Sequence, residues 1–369
     1  MSIPIEDQTN AKMPAPPDQR IGYAVVGIGK LSAQELLPAF RGSRLSKLVA
    51  LVSDERDKGL EFALAHGLDE GDVYSYDGFE RLAEREDVQA VYIVLPNSLH
   101  RSFTERAANM GKHVLCEKPL ATNVEDAEAM VAACAAAQVW LMTAYRCQYT
   151  PQHWVARDLV QNGELGFVGL VQAINAQLED DPDVWRLKRD LAGGGALPDI
   201  GLYCLNTVRF LLAEEPDEVF AHQFSTPDDP RFLEVEESVA WTMRFPSGTL
   251  ATCVTSYNAA RANRIGVHGD KAWLSMDPAF SYQGLALEVV DKHKRESPII
   301  DEHDQFSLEI DHFSSCVLKG RKPFTPGEEG LQDQRIMAAI YRSAREGRPV
   351  GLERIETKDA FRGSPPERK

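Results

Sequence analysis

The stretch that decides the fold is IGYAVVGIG at 21–29, an apolar run that ends in two glycines separated by one residue. Such a run is typical of a buried parallel strand. Glycines at its end let the backbone approach a pyrophosphate at the start of the next helix, which we expect to run from Ser32, as N-cap, to Phe40. The third glycine of the usual fingerprint is missing. Gly27 and Gly29 are nevertheless candidate cofactor-binding residues, because an alternating strand–helix series follows them.

The alternation continues as far as Tyr145. Further apolar runs that predict strands lie at 47–53, 90–96, 113–118 and 140–145. The segments between them have helical character, and one of these helices is expected to be capped by Thr122. Strict alternation of this kind predicts a parallel sheet with right-handed crossovers. We therefore predict an α/β Rossmann domain over residues 21–146.

The pattern changes in the second half of the chain. After a linking helix at 151–162, the strands alternate, and 245–249 and 268–271 predict hairpin turns. Helices at 305–318 and 331–345 close the chain. We predict an α+β domain over 147–369, with an open-faced, mostly antiparallel β-sheet for substrate binding and oligomerisation. The Pro-rich residues 1–20 are expected to form an extended arm, either disordered or lying on a neighbouring surface.

Length and composition narrow the classes of protein. The chain has 369 residues, 43% of them hydrophobic, so two domains with sizeable cores are expected. Its net charge of −16 argues against a nucleic-acid partner, which needs a basic face. The six cysteines form no Cys-x-x-Cys pair, which favours reduced thiols and no metal site. No leader peptide and no membrane span is evident, so a cytoplasmic location is expected.

The end of the second strand bears on the choice between NAD and NADP. An NAD enzyme usually places Asp or Glu there to bond the ribose hydroxyls. Here the strand ends in Ser53, and Arg56 and Lys58 follow closely. Ser53 can bond a 2′-phosphate and the two cations can neutralise it, which predicts NADP. Acidic residues in the same run compete with this interpretation, and the alternative is a solvated first turn of a helix.

A second candidate motif is Cys116-Glu117-Lys118-Pro119, which closes another parallel strand. Ligands bind beyond the carboxyl ends of such strands, so Lys118 is expected to point into the cleft between the domains. Glu117 can orient the lysine or contact the nicotinamide side of a cofactor. The alternative is an ordinary surface pair of Glu and Lys.

The third motif lies in the second half, where three glycines at 193–195 precede Asp199 and Tyr203. Asp199 and Tyr203 are four residues apart and would share one face of a helix. The glycines allow close backbone approach or movement over a ligand. Upstream, Trp185 and Arg186 supply an aromatic plate and a cation. The alternative is a flexible loop that leads into a core helix.

Taken together, these motifs resemble the Gfo/Idh/MocA oxidoreductases. The resemblance rests on Gly27-Ile28-Gly29, the segment 95–100 (LPNSLH), Cys116-Glu117-Lys118-Pro119 and the glycine block with Asp199 and Tyr203. It extends over most of the chain and is most specific for the branch of glucose–fructose and aldose–aldose oxidoreductases. Most of the wider family has a histidine and an acid where this sequence has Tyr203 and Asn206.

The resemblance implies roles for individual residues. Lys118, Asp199 and Tyr203 would carry the chemistry, and these three with Arg146 would contact the substrate. The implied NADP contacts are Gly29, Lys30, Leu31, Ser53, Lys58, Tyr76, Leu95, Pro96, Asn97, His100, Glu117, Lys118, Arg146, Trp185, Arg186 and Tyr282.

The expected activity follows from the same resemblance. An aldose would be oxidised at C1 to an aldonolactone, and tightly bound NADP(H) would pass the hydride to a second sugar, giving an alditol by ping-pong kinetics. Tyr203 would be the acid/base, with Lys118 lowering its pKa, because a free tyrosine is a poor base at neutral pH.

Other activities stay open. They are an ordinary NADP-dependent glucose or xylose 1-dehydrogenase that releases NADPH, a non-enzymatic NADP-binding sensor, and cofactor-assisted glycosidic cleavage. The exposed sheet face predicts a homo-oligomer, either a dimer or a tetramer.

Overall fold

The computed structural model describes residues 19–367, so the predicted arm falls outside the described residues except for its last two positions. The elements of the first half are β1 (Ile21–Val26), α1 (Leu37–Gly42), β2 (Ser46–Val52), α2 (Arg56–Ala65), β3 (Val73–Tyr74), β4 (Ala90–Ile93), α3 (His100–Asn109), β5 (His113–Glu117), α4 (Val124–Ala136), β6 (Leu141–Ala144) and α5 (Pro151–Gln161). Those of the second half are β7 (Val168–Leu178), α6 (Arg189–Ala192), α7 (Leu202–Leu212), β8 (Glu218–Phe224), β9 (Ser238–Arg244), β10 (Leu250–Ser256), β11 (Asn258–Gly269), β12 (Ala272–Met276), β13 (Leu287–Asp291), β14 (Arg295–Glu296), α8 (Gln305–Lys319), α9 (Gly327–Glu346) and β15 (Val350–Gly351).

The first sheet, within residues 19–367, has six strands in the order β3-β2-β1-β4-β5-β6. Every neighbouring pair is parallel, which confirms the predicted Rossmann sheet. Apolar clusters lie on both of its faces, one against α3 and α4 and the other against α1 and α8. Burial on both faces explains why its strands read as continuous apolar runs. The strand order reverses beside β1, and ligands bind beyond the strand ends at such a switch point.

The first helix begins earlier than the sequence predicts. The backbone is already helical at Lys30, and a π-helical segment (Ser32–Leu36) leads directly into α1. The N–H of Ala33 donates to the carbonyl of Gly29 at 3.0 Å. Ser32 is therefore inside the helix, and the prediction that it is the N-cap is wrong. Its hydroxyl donates to the carbonyl of Gly27 at 2.6 Å and ties the helix to the end of β1.

Two other helix starts also differ from the prediction. The cap of α4 is Asn123 and not Thr122, because the Asn123 side chain accepts the N–H of Asp126 at 2.8 Å. Two adjacent residues that both favour a cap cannot be separated by propensity alone. Helix α9 begins at Gly327, ahead of the predicted start at 331, because its first turn is mostly polar and acidic and lacks the apolar periodicity of later turns.

The second sheet, in the same described residues, has nine strands in the order β14-β13-β12-β11-β7-β10-β9-β8-β15. Only the pairing of β7 with β10 is parallel, which confirms the mostly antiparallel sheet. Strand β9 alternates buried and exposed residues, as a sheet with one open face does. The covered face packs on α5, α7 and α9 in one continuous apolar core.

The last two helices connect the halves of the molecule. Helix α8 packs its apolar side chains into the core of the first sheet, next to β1 and α1. Helix α9 contacts both α4 and β8, so it touches the two sheets at once. None of the helices in the described part of the chain combines the length and the apolar character that crossing a membrane requires.

Candidate active site

The end of β1 provides a cradle of the shape that a dinucleotide needs. Gly27 has a φ of +94°, and a β-carbon there would lie 2.3 Å from the carbonyl oxygen of Val94, so only glycine fits. A β-carbon on Gly29 would meet no atom within 4 Å, so open space lies beside that backbone. Lys30 and Leu31 form the first turn of the helix that follows.

The residues predicted to bind the 2′-phosphate lie together at the start of α2. Ser53 is buried, and its hydroxyl donates to the carbonyl of Glu55 at 3.0 Å. Arg56 pairs with Glu70 at 2.6 Å, and Lys58 pairs with Glu55 at 3.4 Å. All four of these charged side chains are exposed to solvent, so such pairs are weak and release their cations readily.

The loops after β2, β3 and β4 complete the same edge of the sheet. Tyr76 is half-buried, and its ring packs edge-on against Phe103 with 5.2 Å between centroids. Leu95 and Pro96 lie in the loop after β4. The side-chain amide of Asn97 donates to the carbonyl of Ala192 at 2.9 Å and so links this loop to the second half of the molecule.

His100 lies between the loops that follow β4 and β5. Its side chain is fully buried, and its ring nitrogens lie 3.0 Å from the carbonyl oxygens of Leu95 and Pro119. Burial lowers the pKa of His100, although these carbonyl contacts oppose that shift. The ring thus links the loops after β4 and β5, and the implied contact with the cofactor stays a prediction.

Asp199 is the centre of the charged cluster in the cleft. The Lys118 ammonium donates to the Asp199 carboxylate and to its backbone carbonyl, both at 2.9 Å. Arg186 lies 3.4 Å from the other carboxylate oxygen, and Tyr257 donates to that oxygen at 2.7 Å. Burial would raise the pKa of Asp199, but Lys118 and Arg186 outweigh it and hold that pKa well below its usual range. Asp199 is therefore a carboxylate at every physiological pH.

Tyr203 meets a cation, although not the one that the sequence suggests. The Arg146 guanidinium donates to the phenol oxygen from Nε at 3.2 Å. The Lys118 ammonium lies instead over the ring face, 5.0 Å from its centroid. Burial raises the pKa of Tyr203, and Arg146 offsets only part of that rise. The expected lowering of the Tyr203 pKa by Lys118 is therefore corrected, because Arg146 is the cation at the hydroxyl.

Arg146 is itself held from three sides. Its guanidinium donates to the side chain of Gln305 and to the carbonyl of Phe280, each at 2.6 Å. The ring of Tyr282 lies on it at 4.5 Å, opposite the ring of Tyr203 at 4.7 Å. A cation between two aromatic faces is fixed in place without losing its charge.

The remaining predicted residues border the same cleft. Glu117 is buried and accepts the backbone N–H of Lys118 at 3.1 Å. Burial raises the pKa of Glu117, and Lys118 opposes that rise. Arg186 stacks on Trp185 with 4.7 Å to the ring centroid, so the aromatic plate and the cation contact each other.

Close packing explains the three glycines at 193–195, and movement over a ligand does not. A β-carbon on Gly193 would lie 2.8 Å from the backbone of Thr122, and one on Gly195 would lie 2.1 Å from the backbone of Glu236. The Glu236 carboxylate accepts the N–H groups of Gly195 and Leu197 at 2.9 and 3.0 Å. Close approach is confirmed, but the partner is the protein's own backbone, and the block is fixed.

Several residues of the site carry no sequence signal. Tyr257, which binds Asp199, and Gln305, which binds Arg146, belong to no motif and come from distant parts of the chain. A cavity of about 640 Å³ opens beside Tyr282 and is lined mostly by polar side chains, among them Glu35, Arg261 and Asp277. All six cysteines are buried free thiols, and no group of metal-ligating side chains is found within residues 19–367.

Two family descriptions match the two halves of the chain. Residues 21–145 match an oxidoreductase family with an NAD-binding Rossmann fold, and residues 153–275 match the GFO/IDH/MocA C-terminal domain. The chain is 33% identical over 342 residues to D-xylose 1-dehydrogenase (NADP⁺) of Haloarcula marismortui, covering 91% of this chain and 94% of that protein. It is 36% identical over 336 residues to dTDP-3,4-didehydro-2,6-dideoxy-alpha-D-glucose 3-reductase of Streptomyces violaceoruber, covering 88% and 92%.

The solved structures agree with these matches. Aldose-aldose oxidoreductase from Caulobacter crescentus, solved with glycerol, has a TM-score of 0.88 and 44% identity, covering 90% of this chain and 100% of that chain. A 3-ketoreductase from Actinomadura kijaniata, solved with NADP and TDP-benzene, has a TM-score of 0.78 and 27% identity, covering 88% and 98%. Both sheets and the cleft between them are shared, and the chain belongs to the Gfo/Idh/MocA oxidoreductase family.

Proposed function

We propose that this enzyme is an NADP-dependent aldose oxidoreductase that forms an aldonolactone from one sugar and an alditol from a second. The observation that carries the proposal is the cluster of Tyr203, Arg146, Lys118 and Asp199 beyond the carboxyl ends of β5 and β6. The cluster combines a phenol, two cations and one carboxylate, which is the set of groups needed to bind sugar hydroxyls and to move one proton.

The residues present fit a nicotinamide dinucleotide. Gly29, Lys30 and Leu31 would hold the pyrophosphate in the open space beside β1, and Ser53, Arg56 and Lys58 would hold the 2′-phosphate. The remaining proposed contacts are Gly27, Tyr76, Leu95, Pro96, Asn97, His100, Glu117, Lys118, Arg146, Trp185, Arg186 and Tyr282. The choice of NADP is supported by the cofactor named for the xylose dehydrogenases and the 3-ketoreductase.

The side chains of the cluster have different roles in the reaction of the sugar. When bound, the nicotinamide supplies the hydride acceptor for the first sugar and the hydride donor for the second. Tyr203 takes the proton of the C1 hydroxyl as C1 becomes the lactone carbonyl, and returns it to the oxygen of the second sugar. Arg146 stabilises the phenolate through the bond to its oxygen, Lys118 binds the reacting oxygen, and Asp199 fixes Lys118 and a sugar hydroxyl.

The relatives support two versions of this activity. The name of the Caulobacter enzyme describes transfer between two aldoses, and that enzyme is 44% identical. The names of the halophile relatives describe a D-xylose 1-dehydrogenase, which oxidises one sugar and releases reduced cofactor. A sensor without turnover is less well supported, because binding a cofactor requires no phenol and guanidinium pair in the cleft.

Incubation of the purified protein with pairs of aldoses and no added nucleotide separates these versions. We expect equal amounts of aldonolactone and alditol, identified by NMR, and a slow loss of cofactor on gel filtration. Products that form only when NADP⁺ is added, with NADPH in the medium, would indicate the dehydrogenase. Cofactor binding without either product across a panel of sugars would indicate the sensor.

We also propose that residues 21–146 form the cofactor unit and residues 147–369 the substrate and oligomerisation unit, in an enzyme of the cytoplasm. Six buried free thiols suit a reducing compartment.

The partner in the oligomer would be a second copy, docked on the open face of the second sheet. Leu170 and Leu250 are paired across β7 and β10 on that face, and both are more than half exposed. Ile174 pairs with Val254 further along the same face, beyond the exposed polar pair of Gln172 and Thr252, so the apolar stripe is interrupted once. A twofold axis through such a stripe would match apolar side chains with themselves.

The stripe predicts a measurable effect on association. Leu170→Glu combined with Leu250→Glu is expected to weaken self-association by at least about 100-fold, because like charges would face each other across the twofold axis. Sedimentation velocity over a concentration series measures the effect. Leu64→Glu on α2, where the side chain is 82% exposed, is the matched control and should leave association unchanged. A wild-type protein that stays monomeric, or a double variant that associates normally, would contradict the proposal.

A further inference from the structure

Helix α8 reaches the cleft through Gln305, which binds Arg146. Gln305 and Glu309 are four residues apart on it and therefore lie on one helix face. Gln305 accepts a hydrogen bond from Arg146 at 2.6 Å, and Glu309 lies beside Tyr92 on β4. The face of α8 formed by these two residues thus reaches two strand ends of the Rossmann sheet.

The phenol of Tyr92 stands between two carboxyl groups. Its oxygen lies 3.0 Å from Glu117 Oε1 and 3.4 Å from Glu309 Oε2. Tyr92 and Glu309 are fully buried, and Glu117 nearly so. A phenol has one proton to donate, so it satisfies one carboxylate only. The second contact is a hydrogen bond only when that carboxyl group carries its own proton and donates to the phenol oxygen.

The surroundings decide which carboxyl group is protonated. Glu117 is next to Lys118 and accepts that residue's backbone N–H, so its charge is compensated. Oε1 of Glu309 has no partner within the described residues. Burial and the charge of Glu117 raise the pKa of Glu309 well above its usual range, and Arg146 opposes this only in part. Leaving a charge on Glu309 would bury an unpaired carboxylate, which is very costly.

The other elements packed against Glu309 do not change this result. The turn after β6 brings Arg146, Cys147 and Tyr149 towards it. Burial raises the pKa of the Cys147 thiol and of the Tyr149 phenol, so both are neutral at physiological pH. Arg146 is the one cation among these neighbours, and it already donates to Gln305 and Tyr203.

We propose that Glu309 is a positioning residue, a neutral carboxylic acid that donates to Tyr92, which in turn donates to Glu117 and fixes that carboxylate at the end of β5. This inference rests on the proposed function for its effect on turnover, but the hydrogen-bond chain is a property of the folded protein alone. Glu117 precedes Lys118, so its orientation sets the backbone from which the site lysine projects.

Infrared spectroscopy of the purified enzyme at neutral pH tests the hydrogen-bond chain from Glu309 to Glu117 without any substrate. The carbonyl stretch of a buried protonated carboxyl group is expected in the wild type and should be lost in Glu309→Gln. Tyr92→Phe should retain the band but shift it, because the acid loses its acceptor. Glu328→Gln, on an exposed glutamate of α9, should leave the band intact. An unchanged band in Glu309→Gln would overturn the proposal.

Kinetics test the positioning role. Glu309→Leu is expected to lower the turnover number about 10-fold with little change in KM, as the loss of one buried hydrogen bond to Tyr92 predicts. Glu309→Gln should restore most of the rate, because an amide N–H also donates to the Tyr92 oxygen. Equal rates for Glu309→Leu and the wild type would overturn the role. Failure of the proposed function would show differently, as a wild type without sugar turnover whose infrared band still depends on Glu309.

Discussion

Tyr203→Phe is expected to lower sugar oxidation about 10²–10⁴-fold, the usual cost of removing a general acid/base. The substitution deletes one oxygen, and the ring can keep its contacts with Arg146 and Lys118. Cofactor binding should therefore survive while turnover is lost. Turnover measured by NMR of the products, together with the cofactor content of each protein, checks this result.

The pH dependence should identify the same group. Burial raises the pKa of Tyr203, so the phenol is protonated at neutral pH in the free protein. The rate of oxidation should therefore rise with pH as the fraction of phenolate grows, and this slope should vanish in Tyr203→Phe. Tyr23→Phe is the matched control, because Tyr23 is a fully buried tyrosine whose hydroxyl contacts Ser314 and the Ile310 carbonyl, away from Tyr203. A Tyr203→Phe enzyme with near wild-type turnover would remove Tyr203 from the mechanism.

Arg209→Met is expected to destabilise the fold by about 3–5 kcal/mol, the cost of leaving buried carboxylates without their partner. Arg209 is fully buried and bonds Glu215, Glu329 and Asp333 at 2.5–3.1 Å. Arg362 also binds Glu329, at 2.6 Å, but within residues 19–367 no other cation pairs with Glu215 or Asp333. The free energy of unfolding, measured with a chemical denaturant, gives the size of the loss.

A surface pair provides the comparison. Arg244→Met breaks the bond to Asp217 on an arginine that is half exposed, and should cost far less stability than Arg209→Met, because solvent screens the pair. An Arg209→Met protein that is no less stable than Arg244→Met would show that the buried cluster is not structural. Asn206, which lies one turn after Tyr203 on α7, bonds Asp333 at 2.8 Å, so the same loss should also disturb the site.

Much of the fold could be predicted from the sequence because its signals are local. Apolar runs of strand length alternate with helices up to Tyr145, and this pattern alone gives the parallel sheet. The starts of helices were harder to predict, since Thr122 satisfies the rules for a cap as well as Asn123 does, and the helix after β1 begins without a side-chain cap. A cap is decided by backbone geometry, which adjacent polar residues do not reveal.

In the candidate site, too, the residues in local motifs could be predicted and the contacts between distant residues could not. Lys118 and Asp199 belong to motifs, and the structure brings them to 2.9 Å from each other. The partner of Tyr203 could not be predicted, because Arg146 reaches it through a turn after β6 and is oriented by Gln305 from α8. Glu309 and Tyr257 had no signal at all. Contacts between residues far apart in the chain depend on packing, which periodicity does not describe.

The fixed glycine block has a consequence for the energetics of turnover. Thr122, Glu236 and Tyr341 lock the segment that carries Asp199, so the wall of the cleft is complete before a sugar arrives. Such preorganisation keeps the reorganisation energy of the polar groups small in every cycle. The donor sugar and the acceptor sugar would then bind to the same fixed set of polar side chains. The selectivity between them would depend on the stereochemistry of the sugars' own hydroxyl groups.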